Sequence, residues 1–172
     1  FAEGKNVDAI NTAAKEVGDE LGVDCKVQVF LSIFHPSPAY GEFPEKFGDL
    51  DGDGIDDDIK DHETKKKAVK WMIDEHIRRF NEKERSNLSL CCFYWFEEEM
   101  NYYNADEFDV LFFARDYVHS MGYKFIWIPY YQAAGFCNWK ELGFDIACMQ
   151  PNYAFGTKRP VSRLYTNAEL TK

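Results

Sequence analysis

The stretch LSLCCFYWFEEEM, residues 88–100, decides how this chain folds. It begins with a continuous apolar and aromatic run of strand length, which is typical of a strand buried on both faces. The run ends in Glu97, Glu98 and Glu99. In sheets of parallel strands the working residues lie just beyond the carboxyl ends of the strands, so these three carboxylates are expected at a functional site. The alternative is that they merely end a strand and face water.

Helical and strand-like segments alternate on both sides of this stretch. Apolar residues at helical spacing predict helices over residues 7–21, 62–84 and 106–121, a short helical turn over 139–142 and a last helix from residue 159. Runs rich in β-branched and aromatic residues predict further strands over residues 26–34, 123–128 and 144–149. This order predicts an α/β fold of parallel β/α repeats with right-handed crossovers.

Two architectures fit such repeats, an open flavodoxin-like sheet and a closed β/α barrel. The open sheet requires a glycine-rich phosphate-binding turn after its first strand, whereas this chain has HPSPAYGEF at residues 35–43. The sequence therefore favours the N-terminal half of a TIM-type (β/α)8 barrel, with residues 1–172 forming a single partial domain.

Composition narrows the possible partners. A net charge of −10 argues against a nucleic-acid partner, because affinity for phosphate backbones rests on clustered Lys and Arg. No apolar run is long enough to span a membrane. Aromatic residues make up 17% of the chain, a high share that favours a ligand cleft beside the commoner use in core packing. The five cysteines lack zinc-binding spacing and are expected to be mostly buried thiols.

An acidic segment, DLDGDGIDD at residues 49–57, lies in a long loop predicted over residues 36–61. Carboxylates at relative positions one, three, five and nine, with glycine at six, have the spacing that places oxygen ligands around Ca²⁺. The predicted ligands are Asp49, Asp51, Asp53, the backbone carbonyl of Ile55, and Asp57. Lys60 replaces the expected carboxylate at position twelve, so Asp61, Glu63 or water has to compensate. The alternative is an acidic turn in solvent without a metal.

Several segments in order resemble a known family. They read FGDLDGDG (47–54), AVKWMIDE (68–75), LSLCCFYWFEEE (88–99), KFIWIPYYQAAG (124–135) and LGFDIACMQPNYAF (142–155). This succession resembles the bacterial domain-of-unknown-function 4855 family, which is regarded as a glycoside-hydrolase-like β/α barrel. The family's usual glycine before Phe-Tyr-Trp is Cys92 here. The resemblance implies a protein that is secreted or displayed at the cell surface.

The resemblance places the family's glutamate, three residues beyond the tryptophan, at Glu98. Glu98 is therefore the candidate acid/base residue of a glycosidase, a reaction that by its usual route needs two carboxyl groups. No second carboxylate can be assigned, since Asp145 comes too early in its strand. Aromatic rings that stack on sugars and amides that bind hydroxyls predict a carbohydrate site. The candidate binding residues are Tyr94, Trp127, Tyr130, Tyr131, Gln150, Asn152 and Tyr153.

Two classes of function remain open, a glycosidase-like enzyme and a non-catalytic carbohydrate-binding or surface-interaction barrel. The chain starts at Phe1 and shows no charged and apolar leader pattern, so we expect a fragment from which any leader is missing. Four parallel strands leave open edges, which are expected to drive self-association. A half barrel that lacks the second carboxylate is expected to be inactive as it stands.

Overall fold

The computed structural model describes residues 5–37, 45–154 and 158–170, and within them the predicted alternation of helices and strands is confirmed. A 3₁₀ turn, Phe136–Asn138, lies between the last two strands. The helices and strands are α1 Lys5–Leu21, β1 Val27–Ile33, α2 His62–Asn81, β2 Leu88–Trp95, α3 Ala105–Ser120, β3 Lys124–Trp127, β4 Ile146–Ala147 and α4 Ser162–Leu170.

The four strands form one parallel sheet in the order β1-β2-β3-β4. Each strand is added beside the preceding one, so the order never reverses as it does in a doubly wound sheet. Right-handed crossovers that all progress in one direction place their helices on a single face of the sheet. The predicted fold class is confirmed, with the topology expected for part of a β/α barrel.

The main core lies between the sheet and the helices α2 and α3. Alternate residues of the strands point to this side, and Phe93, Trp95, Phe125 and Trp127 are fully buried there. Burying a large apolar side chain stabilises a fold by roughly 1.5–3 kcal/mol. The helices supply the opposing residues Val69, Met72, Ile73, Val110, Leu111, Ala114 and Val118.

The other face of the sheet, which we call the inner face, carries Phe30, Cys92, Tyr94, Ile126 and Ile146. The strand register places these residues side by side on the same side of the sheet. Cys92, Tyr94 and Ile126 are buried against one another, whereas Phe30 is 48% exposed and Ile146 is 49% exposed. The register also places Ser32 and Lys124 on this face. Within the described residues, the inner face thus has a buried apolar centre and half-exposed apolar residues at its margins.

Helix α1 lies at the amino ends of the strands. Asp8 accepts hydrogen bonds from Lys83 at 2.7 Å and from Arg85 at 2.8 Å, in the turn that leads into β2. Asn11 Oδ1 accepts a hydrogen bond from the backbone N–H of Asn87 at 3.1 Å. The opposite end of the sheet, where the strands end, is therefore unobstructed by α1.

Some sequence-based boundaries were wrong. The helical turn predicted over residues 139–142 is present as a single turn, in which Leu142 N–H donates to the Asn138 carbonyl at 2.9 Å, directly after the 3₁₀ turn Phe136–Asn138. Of the strand predicted over residues 144–149, only Ile146–Ala147 is regular.

Of the five free cysteines only Cys92 is buried, so the expectation of mostly buried thiols was also wrong. No helix among the described residues combines the length and apolar character that a membrane crossing requires.

Candidate functional site

The carboxylate segment Glu97–Glu99 follows β2 after one intervening residue, Phe96, at the carboxyl end of the sheet. Its backbone is fixed by the neighbouring strand. The indole Nε1–H of Trp127 donates to the carbonyl of Glu97 at 2.6 Å, and the backbone N–H of Tyr130 donates to the carbonyl of Glu98 at 3.2 Å. The segment is therefore held against the end of β3 rather than extending freely into solvent.

Two of the three glutamate side chains contact residues beyond the ends of other strands. Glu98 Oε1 accepts a hydrogen bond from Gln150 Nε2 at 2.8 Å, and the Tyr130 hydroxyl donates to Glu99 Oε2 at 2.5 Å. Gln150 Nε2 also donates to the carbonyl of Ile128 at 3.1 Å. Residues that follow β2, β3 and β4 thus meet in one place, which brings together Glu98, Tyr130 and Gln150 from the predicted site.

Trp127 and Tyr94 are near the carboxyl ends of β3 and β2, but their side chains are buried. Trp127 is fully buried, and its ring stacks on Phe144 with centroids 5.2 Å apart. Tyr94 is buried on the inner face, where its ring lies 6.2 Å from that of Phe30. Burial raises the pKa of Tyr94 to about 12, with a further contribution from the charge of Glu98. The Trp127 ring faces no solvent in this arrangement, and it acts on the site through its hydrogen bond to Glu97.

The remaining candidate binding residues are in the loops that follow β3 and β4, and α4 contacts both loops. The guanidinium of Arg163 lies 4.2 Å from the centre of the Tyr131 ring, and Asn167 Nδ2 donates to the carbonyl of Met149 at 3.0 Å. Asn152 has a φ of 49°, in the left-handed region, and Tyr153 after it is partly exposed. Helix α4 therefore contacts the loops that follow β3 and β4, beside Gln150.

A cavity of about 510 Å³ lies beside the carboxylate segment. The backbone N–H of Met100 donates to the carbonyl of Ala134 at 2.9 Å, so the loop after β2 and the loop after β3 both form its wall. Glu98 is absent from its lining. The residues that line it are Glu97, Glu99, Met100, Asn101, Tyr102, Tyr103, Glu107 and Ala134.

Glu107, in the first turn of α3, is a site residue that the sequence analysis missed. Burial raises the pKa of its carboxyl group, and the negative charges of Glu97 and Glu99 raise it further. A hydrogen bond from the backbone N–H of Asn101, at 3.4 Å, and the positive charge of Lys65 act in the opposite direction. A partly buried carboxyl group beside two others keeps its proton to a higher pH than an exposed glutamate does.

The sequence holds only a weak signal for Glu107. It is the third residue of the helix after the N-cap Asn104, and glutamate at that position ordinarily serves the helix end. Its approach to Glu97 and Glu99 depends on the path of the loop after β2, which no sequence periodicity describes. Helical spacing placed Glu107 only within the helix predicted over residues 106–121.

His35 is a buried titratable residue at the end of β1. It is 5% exposed, and its ring lies 6.1 Å from that of Trp95. Burial lowers the pKa of His35 to about 4, and the charges of Lys65 and His62 contribute in the same direction. The imidazole is therefore neutral near pH 7.

The acidic loop, residues 45–61, is folded around its own carboxylates, while residues 38–44 of the predicted longer loop lie outside the described residues. One oxygen from each of Asp49, Asp51 and Asp57 lies within 4.8 Å of the others. Asp53 instead accepts a hydrogen bond from the backbone N–H of Ile55 at 2.8 Å. Gly52 and Gly54 have φ values of 82° and 88°, which glycine adopts without strain.

A lysine from α2 contacts this acidic loop. The Lys67 ammonium lies 2.5 Å from Asp51 and 3.2 Å from Asp57. The hydrogen bonds to these two carboxylates raise the pKa of Lys67. Two of the predicted calcium ligands therefore already have a cationic partner.

Comparison with known proteins identifies the family. Neither the curated proteins nor the solved structures give a match to this chain. One family does match, over residues 1–172, and the segments quoted in the sequence analysis lie within that range. The chain belongs to the family described as Domain of unknown function (DUF4855).

Proposed function

We propose that this protein acts on carbohydrate as a glycoside-hydrolase-like enzyme, with acid/base chemistry at the carboxyl ends of its strands. The observation that carries the proposal is the meeting of Glu98 with Gln150, and of Glu99 with Tyr130, where three neighbouring parallel strands end. Carboxyl ends of parallel strands are where β/α enzymes place their catalytic groups. Glu98 is the residue at this position that the sequence analysis predicts as the acid/base.

The chemical character of these side chains supports a sugar ligand. An amide such as that of Gln150 both donates and accepts hydrogen bonds, and the carboxylates accept them, which suits the hydroxyl groups of a pyranose. Tyr102 is half-exposed and Tyr103 is fully exposed at the cavity, so their rings are accessible for stacking. Secretion, as the resemblance implies, would present this site to polysaccharides outside the cell.

A non-catalytic carbohydrate-binding protein is the second candidate. The exposed ring of Tyr103 favours it, because a stacking surface needs no catalytic carboxylate. The two candidates differ in turnover. An enzyme releases reducing sugar from the substrate, whereas a binding protein retains the polysaccharide unchanged.

A panel of 4-methylumbelliferyl glycosides and polysaccharides tests the proposal. We expect hydrolysis of at least one substrate, and a fall in kcat/KM of about 10²-fold or more in Glu98→Gln. Glu16→Gln, an exposed change on α1 at the other end of the sheet, is the matched control and should leave kcat/KM unchanged. Binding to a polysaccharide without any hydrolysis would support the second candidate instead.

We also propose that the acidic loop holds Ca²⁺ as a structural ion, with Asp49, Asp51 and Asp57 as carboxylate ligands. The grouping of their oxygens within 4.8 Å supports this. Calcium bound only to the folded loop would stabilise the protein by mass action. A higher melting temperature in Ca²⁺ than in EDTA is expected, and the difference should disappear in Asp49→Asn. Coincident melting curves of the unmodified protein would contradict the idea.

Lys67 provides a sharper test of the calcium proposal. Its ammonium competes for Asp51 and Asp57, so Lys67→Met should increase the affinity for Ca²⁺ in calorimetric titration. Lys70→Met is the matched control on the same helix, since Lys70 pairs with Asp74 instead. Equal calcium affinities in both variants would place the ion, if any, away from Lys67.

A further inference from the structure

Glu98 alone does not complete the proposed reaction, because the usual route of glycoside hydrolysis needs two carboxyl groups. Its observed side-chain partner is an amide, that of Gln150. The cavity beside it, by contrast, is lined by three carboxyl groups, those of Glu97, Glu99 and Glu107. Its volume, about 510 Å³, lies within the range of small-molecule sites.

We propose that Glu107 is the proton donor of the glycoside-cleaving reaction and that Glu99 is its partner carboxylate. This assignment rests on the proposed glycosidase function and specifies the residues that perform it. It moves proton donation from Glu98 to Glu107, and it leaves Glu98 with Gln150 to hold the sugar. It also places both required carboxyl groups inside this chain, against the expectation that the chain is inactive.

Glu107 has the surroundings that a proton donor requires. It lies in the first turn of α3, so a helix fixes its backbone, and the N–H of Asn101 contacts only one of its oxygens, Oε1, at 3.4 Å. No ion pair joins Glu107 to a lysine or arginine among the described residues. Burial and the neighbouring charges of Glu97 and Glu99 raise the pKa of Glu107, while Lys65 is the cation that opposes them. The carboxyl group is thus kept protonated to a higher pH than an exposed glutamate.

Glu99 has the complementary surroundings. It comes from the loop after β2 and lines the same cavity as Glu107. The Tyr130 hydroxyl donates to its Oε2 at 2.5 Å, which fixes the position of the carboxylate. The other oxygen of Glu99, Oε1, is the one that accepts the proton in the proposed reaction. The partly buried Glu107 is therefore assigned as the acid of the pair, and Glu99, held by Tyr130 in the same cavity, as the base.

The reaction balances with water as the only co-reactant. Glu107 gives its proton to the glycosidic oxygen as the bond between that oxygen and the anomeric carbon breaks, and the bonding electron pair leaves with the oxygen as an alcohol. A water oxygen bonds to the anomeric carbon and passes its proton to Glu99. Glu107 ends ionised and Glu99 protonated, and exchange with solvent restores both.

The leaving group distinguishes a proton donor from a residue with a structural role. We expect Glu107→Gln to lower kcat about 10²- to 10⁴-fold on a 4-methylumbelliferyl glycoside, whose leaving group benefits from protonation. On the matching 2,4-dinitrophenyl glycoside the loss should be less than about tenfold, because dinitrophenolate departs without a proton. The basic limb of the kcat/KM profile, where Glu107 loses its proton, should disappear in Glu107→Gln. Glu99→Gln should lower kcat on both substrates.

Asp106→Asn is the matched control, an exposed carboxylate next to Glu107 that does not line the cavity. It should change kcat less than twofold on both glycosides. Glutamine retains the oxygen that accepts from Asn101, so Glu107→Gln is expected to fold. Should it not fold, Glu107→Asp provides the test, with reduced kcat on the 4-methylumbelliferyl glycoside and the basic limb retained.

Failure of this proposal and failure of the proposed function give different results. An unmodified protein that hydrolyses no glycoside overturns both. Hydrolysis that persists unchanged in Glu107→Gln or in Glu99→Gln, or a loss in Glu107→Gln that is equal for the two leaving groups, overturns this assignment alone. A leaving-group dependence seen in Glu98→Gln but not in Glu107→Gln would return proton donation to Glu98.

Discussion

At the scale of single residues, His35 couples the stability of the fold to pH. Its pKa of about 4 lies below the ordinary value of 6.5, so the unfolded chain binds a proton more readily than the folded one. The contribution of neutral His35 to the free energy of unfolding is therefore fully present above pH 6.5 and is lost as the pH falls towards 4. A pKa change of this size corresponds to about 3 kcal/mol at most in the free energy of unfolding.

Urea unfolding at pH 7 and pH 5 measures this effect. The unmodified protein should be less stable at pH 5, and His35→Gln should remove most of that difference. His76 contributes in the same direction, because burial lowers its pKa as well. A pH dependence that is identical in His35→Gln and in the unmodified protein would show that another group carries it.

The sequence identified some site residues and missed others, for physical reasons. Glu98, Tyr130 and Gln150 were predictable because each follows a hydrophobic run, and the ends of parallel strands meet at one edge. Trp127 has the same sequence context, yet the alternation of the strand turns its side chain into the core. Glu107 was missed because its position depends on how a loop returns to the sheet, which is set by tertiary contacts.

At the scale of elements, the contact between α1 and the turn before β2 can be tested separately. Arg85 has a side chain only 6% exposed, and it donates to both Asp8 and the carbonyl of Phe80. Asp8→Asn should weaken this contact, lower the melting temperature and increase amide hydrogen exchange in α1. Exchange in β2 and β3 should change little.

Asp19→Asn is the matched control for that experiment. Asp19 is on the same helix and forms an exposed pair with Lys15 within α1. Exposed pairs of this kind contribute little to stability, so exchange in α1 should stay unchanged. Equal effects of the two substitutions would mean that Asp8 does not hold α1 against the turn before β2.

The connection between β3 and β4 depends on an aromatic stack. Phe144 is buried, with ring centroids 4.8 Å from Phe125 and 5.2 Å from Trp127. Phe144→Ala should lower the free energy of unfolding by about 3–5 kcal/mol, as expected for loss of a buried aromatic ring. Tyr165→Ala, on the exposed side of α4, should change it by less than about 0.5 kcal/mol. Chemical denaturation of both variants measures the difference.

The last strand shows why element boundaries were the weakest part of the prediction. Residues 144–149 were expected to be a strand, and their hydrogen bonds do follow β3, from Asp145 N–H to the Phe125 carbonyl and from Cys148 N–H to the Trp127 carbonyl. Only Ile146–Ala147 is regular, although the hydrogen bonds continue as far as Gln150, whose N–H donates to the Pro129 carbonyl at 2.8 Å. The hydrophobic run predicted the position of β4 but not its length.

At the scale of the whole molecule, the inner face should govern association. Phe30 and Ile146 expose apolar surface on it, and apolar patches of this kind favour contact with another chain. Sedimentation velocity over a range of concentrations is expected to show reversible self-association. Phe30→Ser should weaken it, whereas Tyr165→Ser, an exposed aromatic on α4, should not. A species that stays monomeric at high concentration would contradict this prediction.

The fold class followed from the sequence because every strand is a hydrophobic run separated from the next by a helix or a long loop. The alternation alone did not show whether the strand order reverses, as in an open doubly wound sheet, or progresses in one direction, as in a barrel. The argument from the residues for a barrel was the absence of a phosphate-binding turn after the first strand. The observed strand order supplies the direct argument, since a sheet wound one way places β1 and β4 at opposite edges.

The strand order β1-β2-β3-β4 has a consequence for synthesis on the ribosome. Each strand pairs with the one translated just before it, so no strand has to wait for a later segment before it finds its neighbour. Chains emerge at about 5–20 residues per second, far more slowly than helices and loops form, and the earlier units can dock while later ones are still being made. Every intermediate on that route exposes the edge of the most recently added strand. The nascent chain is therefore most vulnerable to pairing with another polypeptide at that edge, and each newly translated strand removes one such edge while creating the next.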